Sequence, residues 1–266
     1  MKINSVDHGN EFDFGRTSED YVKYRDIYPS DMYEKLIAYG IGKAGQKILD
    51  LGSGPAVLPL NLSPTGALIT ATDISENQIS YGKKAVSEKG IENIGFKVCS
   101  AEETGFDDNS FDVVTAVQCF HYFDTEKAVR EIRRVLRPNG IFCMIFMDWL
   151  PFEDKVIGEM EELVLRYNPS WNGCGFSEYH YSFPDWAKNN FAIDTIHSYD
   201  TFLEFTKESW LGRVKTCRGI GASLPEKEIQ AFENEYRDLL GKYDEPLHLK
   251  HQIHIEIYRS TKNKNR

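Results

Sequence analysis

Lys47-Ile48-Leu49-Asp50-Leu51 is a short apolar run that stops at Gly52-Ser53-Gly54-Pro55. A run of this length bounded by glycines reads as a buried strand ending in a tight turn, since glycine enters left-handed backbone at no steric cost. A second run, Leu68 to Asp73, ends in a carboxylate 21 positions beyond Gly52. Strand, glycine turn, helix and a second strand ending in an acid describe a nucleoside cradle. The backbone approaches a ligand at the glycines, and the acid accepts hydrogen bonds from ribose hydroxyls. The plainer reading is a strand-turn-helix whose glycines serve only the turn.

The pattern continues along the chain. Further strands are expected near Ile94 to Cys99, Val113 to Val117 and Ile141 to Met147, with helices over Glu76 to Lys89 and Thr125 to Leu136. Strand alternating with helix predicts a parallel sheet of the α/β class, with ligands beyond the carboxyl ends of the strands. Two N-terminal helices, Ser18 to Tyr24 and Ser30 to Tyr39, are separated at Pro29. After Asp148 the alternation stops. A helix over Glu153 to Tyr167 leads into an aromatic stretch containing Trp171, Tyr179, His180, Tyr181 and Trp186. A sixth strand over Phe191 to Phe205, helices over Glu208 to Cys217 and Pro225 to Lys242, and a last strand over His251 to Tyr258 follow. That last strand alternates Gln, His and Glu with Ile and Tyr, as a half-buried strand does.

The details of the turn narrow its ligand. A dinucleotide fingerprint needs a third glycine where Val57 stands, and no G-x-x-x-x-G-K-[ST] occurs. D-x-G-x-G with Asp73 downstream resembles the cofactor site of the Rossmann-like S-adenosylmethionine-dependent methyltransferases, with Ala56 where that family usually carries another glycine. The resemblance extends in order through Ser100-Ala101-Glu102-Glu103, the acidic loop and strand Phe106 to Val114, and Gln118-Cys119-Phe120-His121-Tyr122-Phe123. It ends with Glu131 to Gly140 leading into Ile141 to Met147. These motifs span Ala44 to Asp148. Upstream, Tyr21 to Pro29 resembles the Y-x-x-x-R-x-x-Y-P lead-in of a subgroup that includes trans-aconitate-type enzymes; the methyltransferases of ubiquinone biosynthesis are similar to this chain as well.

The resemblance implies a mostly parallel seven-stranded Rossmann-like sheet with helices on both faces, the last strand antiparallel, and an inserted cap. It implies one domain over 1–260: N-terminal helices over the cofactor site (1–45), a cofactor-binding core (46–148), a substrate-covering insertion (149–190) and C-terminal elements completing the sheet (191–260). A flexible tail follows at 261–266. The implied cofactor is S-adenosylmethionine, with S-adenosylhomocysteine as its product. Gly52, Ser53 and Gly54 would pass the backbone close to the methionyl portion, and Asp50 would brace the turn. Asp73 would bind the ribose. Ile74, Ala101 and Glu102 would surround adenine, with Gln78 also in the site; Gln118 would border the methionyl end, and Arg25 would pair with the methionyl carboxylate.

The acceptor side is less defined. His121, after the fourth strand, is the candidate general base, because imidazole changes charge near neutrality; the alternative is a pocket wall. Tyr21, Tyr122, Trp149, Trp171 and His180 are candidates for an aromatic substrate pocket or for cap core. Arg213 and Arg218 could hold an anionic substrate or pair with carboxylates.

Composition excludes several classes. A net charge of −10 disfavours a nucleic-acid enzyme, and Arg130, Arg133, Arg134 and Arg137 read as the solvated face of one helix. No apolar run nears the roughly 18 residues of a membrane span, and the N-terminus carries no signal-peptide core, so a cytoplasmic protein without membrane insertion is expected. Five scattered cysteines without C-x-x-C argue against a disulfide framework or metal site. The expected partner is a small-molecule methyl acceptor; oligomeric state is unreadable. The alternatives are an RNA or protein methyltransferase, a non-catalytic cofactor-binding regulator, and a nucleotide-binding oxidoreductase, which the missing glycine disfavours.

Overall fold

The computed structural model describes residues 1–25 and 27–262, so the tail expected to be flexible lies outside the described residues from 263 onward. The chain forms two compact units. The larger comprises Tyr28–Phe146, His180–Ser198 and His254–Arg266; the smaller comprises Met1–Ile27, Met147–Tyr179 and Tyr199–Ile253. The expected 149–190 insertion is thus divided between them at Tyr179 and His180.

In the first half of the sheet the strands are β1 (Lys47–Leu51), β2 (Leu68–Asp73), β3 (Ile94–Val98), β4 (Phe111–Val117) and β5 (Leu136–Trp149). The later strands are β6 (Phe191–Phe205) and β7 (Leu247–Ser260). They form one sheet in the order β3-β2-β1-β4-β5-β7-β6. β1 pairs in parallel with β2 and with β4, β2 with β3, and β4 with β5, while the last strands run antiparallel. The fold is the expected Rossmann-like one, with helices around the sheet.

The apolar runs become strands because both faces are covered. In β1, Ile48, Leu49, Asp50 and Leu51 are all buried, and β4 is buried or half-buried throughout. The helices between the strands are α3 (Val57–Leu62), α4 (Glu76–Glu88) and α5 (Thr125–Val135). α4 starts on Ser75, whose hydroxyl accepts the Gln78 N–H at 3.4 Å, and α5 starts on Asp124, which accepts the Lys127 N–H. Both are N-caps that satisfy otherwise orphaned first-turn donors.

Two expectations about strands are corrected. β5 begins at Leu136, not Ile141. Leu136 pairs with Phe111, Ile141 with Val113, and the register shifts between them, where Pro138-Asn139-Gly140 bulges from the ladder with Asn139 at φ +61°. The Pro-Gly turn is therefore a bulge inside the strand. β7 is longer than expected and buried on both faces: His251, His254, Glu256 and Tyr258 are buried along with Ile253, Ile255 and Ile257. The cause is its place between β5 and β6, so it has no solvent edge.

In the smaller unit the helices are α1 (Ser18–Tyr24), α6 (Lys155–Tyr167), α7 (Lys207–Lys215) and α8 (Glu226–Leu240); the larger unit adds α2 (Ser30–Ala38). α7 packs against α1 and α8, and α6 against α8, around Trp149, Trp210, Phe232 and Tyr236.

Candidate functional site

Strand order reverses between β1 and β4, so a crevice opens beyond their carboxyl ends. The residues there belong to the larger unit. β1 leads into Gly52 at φ +59° and Gly54 at φ +55°, and Ala56 is also left-handed at φ +67°. Gly52 is required twice over. Its backbone is left-handed, and a Cβ there would lie 2.9 Å from the Cys119 Cβ and 3.0 Å from its Sγ. Cys119 follows β4, and its thiol donates to the Leu51 carbonyl at 3.1 Å. The glycine is thus demanded by packing beneath the turn, before any ligand is considered.

Asp73 braces the turn. One carboxylate oxygen accepts the Gly54 N–H at 2.9 Å and the other accepts the Ser75 N–H at 2.9 Å. Burial pushes its carboxyl up from the ordinary value, while the Ser75, Gly54 and Ile74 amides pull it down. The Ser53 N–H donates to the Thr72 carbonyl at 2.8 Å, tying the turn to β2. The brace expected from Asp50 therefore comes from Asp73. Asp50 instead accepts the Thr115 hydroxyl at 2.6 Å, joining β1 to β4, with 2% of its surface exposed. Burial pushes the Asp50 carboxyl up to about 7; the Thr115 bond opposes this and the Asp73 charge adds to it.

Ile74, Gln78, Ala101, Glu102 and Gln118 belong to the same unit as this turn. Ile74 follows β2 with 60% of its surface exposed, although it is a large apolar side chain. Gln78 is buried in the first turn of α4, and Ala101 is buried after β3. Glu102 accepts the Asp124 N–H at 2.8 Å and so holds the start of α5. Gln118, directly after β4, is left-handed at φ +57°, a strained conformation for a residue with a side chain.

His121 sits in the short turn after β4 and is exposed. Its ring lies 3.9 Å from the Tyr122 ring and 5.9 Å from the Phe146 ring. Tyr122, Phe123, Phe146, Tyr181 and Trp186 pack together as the half-buried rim of the core beneath. His180 lies in this unit and is exposed.

The other candidates belong to the smaller unit. Arg25 donates to the Thr216 hydroxyl at 2.8 Å, reaches Cys217 Sγ at 3.4 Å, and lies over the Tyr21 ring. Arg213, buried on α7, reaches Cys217 Sγ at 3.5 Å and lies over Trp149. Arg218 forms a buried ion pair with Asp7 at 2.7 Å, the carboxylate-pairing alternative of the two that the sequence left open. Trp149 donates its indole N–H to Glu161 at 2.6 Å and packs on Trp171 and Trp210, so Trp149 and Trp171 are core side chains of this unit.

Sequence reasoning missed Thr115, Cys119 and Phe146. Thr115 had a signal, being a lone hydroxyl inside the apolar run Val113 to Val117. Cys119 and Phe146 had none, because their positions depend on which strands are neighbours. Among the described residues no group of His, Cys, Asp and Glu could hold a metal ion. No helix among them is long and apolar enough to cross a membrane.

Comparison with known proteins agrees with this geometry. The family described as "Methyltransferase domain" matches residues 49–144, which run from β1 into β5. The ubiquinone/menaquinone biosynthesis C-methyltransferase UbiE of Rickettsia akari is 30% identical over 167 residues, covering 52% of this chain and 67% of that protein. The chain belongs to the S-adenosylmethionine-dependent methyltransferase family. An uncharacterized methyltransferase of Bacillus subtilis, YcgJ, is 28% identical over 207 residues, 77% of this chain and 79% of its own. The YcgJ crystal structure shares the fold at a TM-score of 0.56, with 24% identity over 86% of this chain and 98% of that one. An uncharacterized Mycobacterium tuberculosis methyltransferase, Rv3342, is 29% identical over 150 residues, and this chain spans just over half of its length (56%).

The residues of the crevice suit the family's cofactor. The Gly54, Ser75 and Ile74 amides act on the Asp73 carboxylate, which accepts about four hydrogen bonds and so keeps capacity for a hydroxyl. Ile74 offers exposed apolar surface beside it.

Proposed function

We propose that this protein transfers a methyl group from S-adenosylmethionine to a small-molecule acceptor. The observation that carries the reading is the braced left-handed turn at the strand-order reversal, with Asp73 and Ile74 on one side and His121 on the other. When bound, the sulfonium supplies a methyl carbon open to in-line displacement, and the carbon–sulfur electron pair returns to sulfur. The protein's own part is proximity, orientation and exclusion of water. Asp73 would hold the ribose, and Ile74 and Ala101 would flank the adenine. The rings of Tyr122 and Phe146 form an apolar wall beside His121 on which an acceptor can lie. Where that acceptor is a hydroxyl or a protonated amine, His121 takes its proton; a carboxylate or a carbanion-like carbon needs none.

A nucleic-acid acceptor is disfavoured by the pairing of the arginines on α5. Arg134 is held by Glu131 and Asp108, and Arg130 lies near Glu126. Arg137, just beyond the helix, pairs with Asp112. Arg133 bonds the neutral Asn190 amide, and the acidic partners of the other three offset most of the positive face that phosphates would require.

Isothermal titration with S-adenosylmethionine and S-adenosylhomocysteine, with NADH as control, tests the reading. Micromolar binding of both sulfur compounds, weakened more than tenfold in Asp73→Ala, is the expected result. Preference for NADH, or binding of neither sulfur compound, overturns it.

A further inference from the structure

Asp50 is a buried acid beneath the turn that the proposed chemistry does not use. It lies one residue before the end of β1, and its side-chain partner is the Thr115 hydroxyl. Its peptide carbonyl accepts the Thr72 hydroxyl at 3.0 Å. The titratable groups facing it come from each neighbouring element: Asp73 at the end of β2, Cys119 after β4, and Cys143 on β5. Cys119 and Cys143 are held as neutral thiols, chiefly by burial. Of the groups named, Asp73 is the other acid, and its charge when ionised has the same sign as that of ionised Asp50. Neither Thr115 nor Thr72 can supply a counter-charge.

The charge state of such a group follows whatever occupies the crevice above it. A cation placed over the turn favours the ionised carboxylate, and an uncharged ligand does not. The proposed cofactor and its product share the same ammonium and carboxylate; the cofactor adds a methyl group and, on sulfur, a permanent positive charge that the thioether left after methyl loss lacks.

We infer that Asp50 makes the cofactor site selective for ligand charge, so that the sulfonium binds with greater release of a proton from Asp50 than the thioether product does. This rests on the proposed function, since it presumes that both molecules occupy the turn. The selectivity has a direction. Linkage requires that a ligand which expels a proton bind more tightly as pH rises, until the free site is already ionised. Burial places the Asp50 transition near neutrality, so the effect falls within an accessible range. The ratio of cofactor affinity to product affinity is then greatest above that transition.

The test is calorimetric titration of the full chain with S-adenosylmethionine and S-adenosylhomocysteine, at about pH 6, 7 and 8. Two buffers of different protonation enthalpy give the number of protons released by each ligand. The expected result is greater proton release with the sulfonium below about pH 7, and a sulfonium-over-thioether preference that grows roughly three- to tenfold between about pH 6 and pH 8. Asp50→Asn should equalise the two proton counts. Thr115→Val, which removes the hydrogen bond favouring the carboxylate, should move the transition to higher pH. His121→Asn should leave the difference in place; if the difference vanishes there, the proton belongs to His121 and the inference is overturned. Equal proton counts and a pH-independent preference in the unmodified protein also overturn it, with no variant needed. Binding of neither ligand overturns the proposed function, and this inference with it.

Discussion

Gly52 carries two constraints at once, and they can be separated. A side chain there meets Cys119 at 2.9 Å and must also adopt a φ of +59°. Overpacking and left-handed backbone each cost about 1–3 kcal/mol, so Gly52→Ala should lose about 3 kcal/mol of stability in urea unfolding. Adding Cys119→Gly removes the clashing atoms and leaves the backbone strain, so the double variant should recover about half of that loss. No recovery would mean that backbone conformation alone demands the glycine. Asp73 presents the complementary case. Its two oxygens hold Gly54 and Ser75, so its replacement affects both the turn and the ligand. Asp73→Asn keeps one acceptor oxygen for one of these amides, and should bind the cofactor between the native protein and Asp73→Ala; titration calorimetry distinguishes the three.

Elements in this protein dock through glycines that admit a neighbour's ring. Gly82 of α4 receives the edge of Phe96 from β3, where an added Cβ would lie 2.8 Å from Cε1, and it also lies against Pro55 of the glycine turn. Gly212 of α7 lies directly beneath the Tyr24 ring of α1, with no room for a methyl group. Neither glycine is needed for backbone conformation, since alanine is the better helix former by about 1 kcal/mol. Gly212→Ala should therefore release α1 while leaving α7 helical. The expected outcome is faster proteolytic cleavage within residues 1–25, with little change in far-ultraviolet circular dichroism. Unchanged cleavage would show that Tyr24 can turn aside without cost. α1 carries Tyr21 and leads into Arg25, so this docking also positions the N-terminal segment against Thr216 and Cys217.

At the scale of the molecule, two buried titratable groups give stability opposing pH slopes. His251 is fully buried in β7; its Nδ1 faces the Leu249 carbonyl at 2.9 Å, and burial lowers its pKa from 6.5 to about 4. The folded value lies below the unfolded one, so the folded state resists protonation. Stability is intact above about pH 6.5 and falls as pH drops toward about 4, by about 3 kcal/mol over the window. Asp50 has the reverse sign. Its folded value of about 7 lies above the ordinary value of 3.8, so its contribution is present below 3.8 and is lost as pH rises toward 7. The groups lie in different units, and three of the four tryptophans, Trp149, Trp171 and Trp210, share the smaller unit with His251. Urea unfolding followed by tryptophan fluorescence should therefore show the acid-side loss between about pH 6.5 and 5, and His251→Gln should flatten it. A loss that persists in the variant would assign the acid lability to other groups.

The amino-acid sequence by itself determined the elements and the local chemistry of the glycine turn after β1. β1, β2 and β6 run over the residues that apolar periodicity and flanking turn residues assign, and the family motifs from Ala44 to Asp148 fall in the order their strands take. These features were legible because a strand, a turn and a helix cap are specified by residues within a few positions of one another. The tertiary structure alone decided which polar groups meet. Thr115 reaches Asp50 across 65 residues, Cys119 fills the space beneath Gly52, and Asp7 meets Arg218 across 211 residues. The polar face of β7 is buried for the same kind of reason. A histidine or glutamate alternating with isoleucine looks half-exposed in a pattern of period two, and only the placement of that strand between β5 and β6 encloses it. Sheet order is set by long-range packing, which leaves no trace in neighbouring residues, and it decides which carboxyl groups are cut off from water.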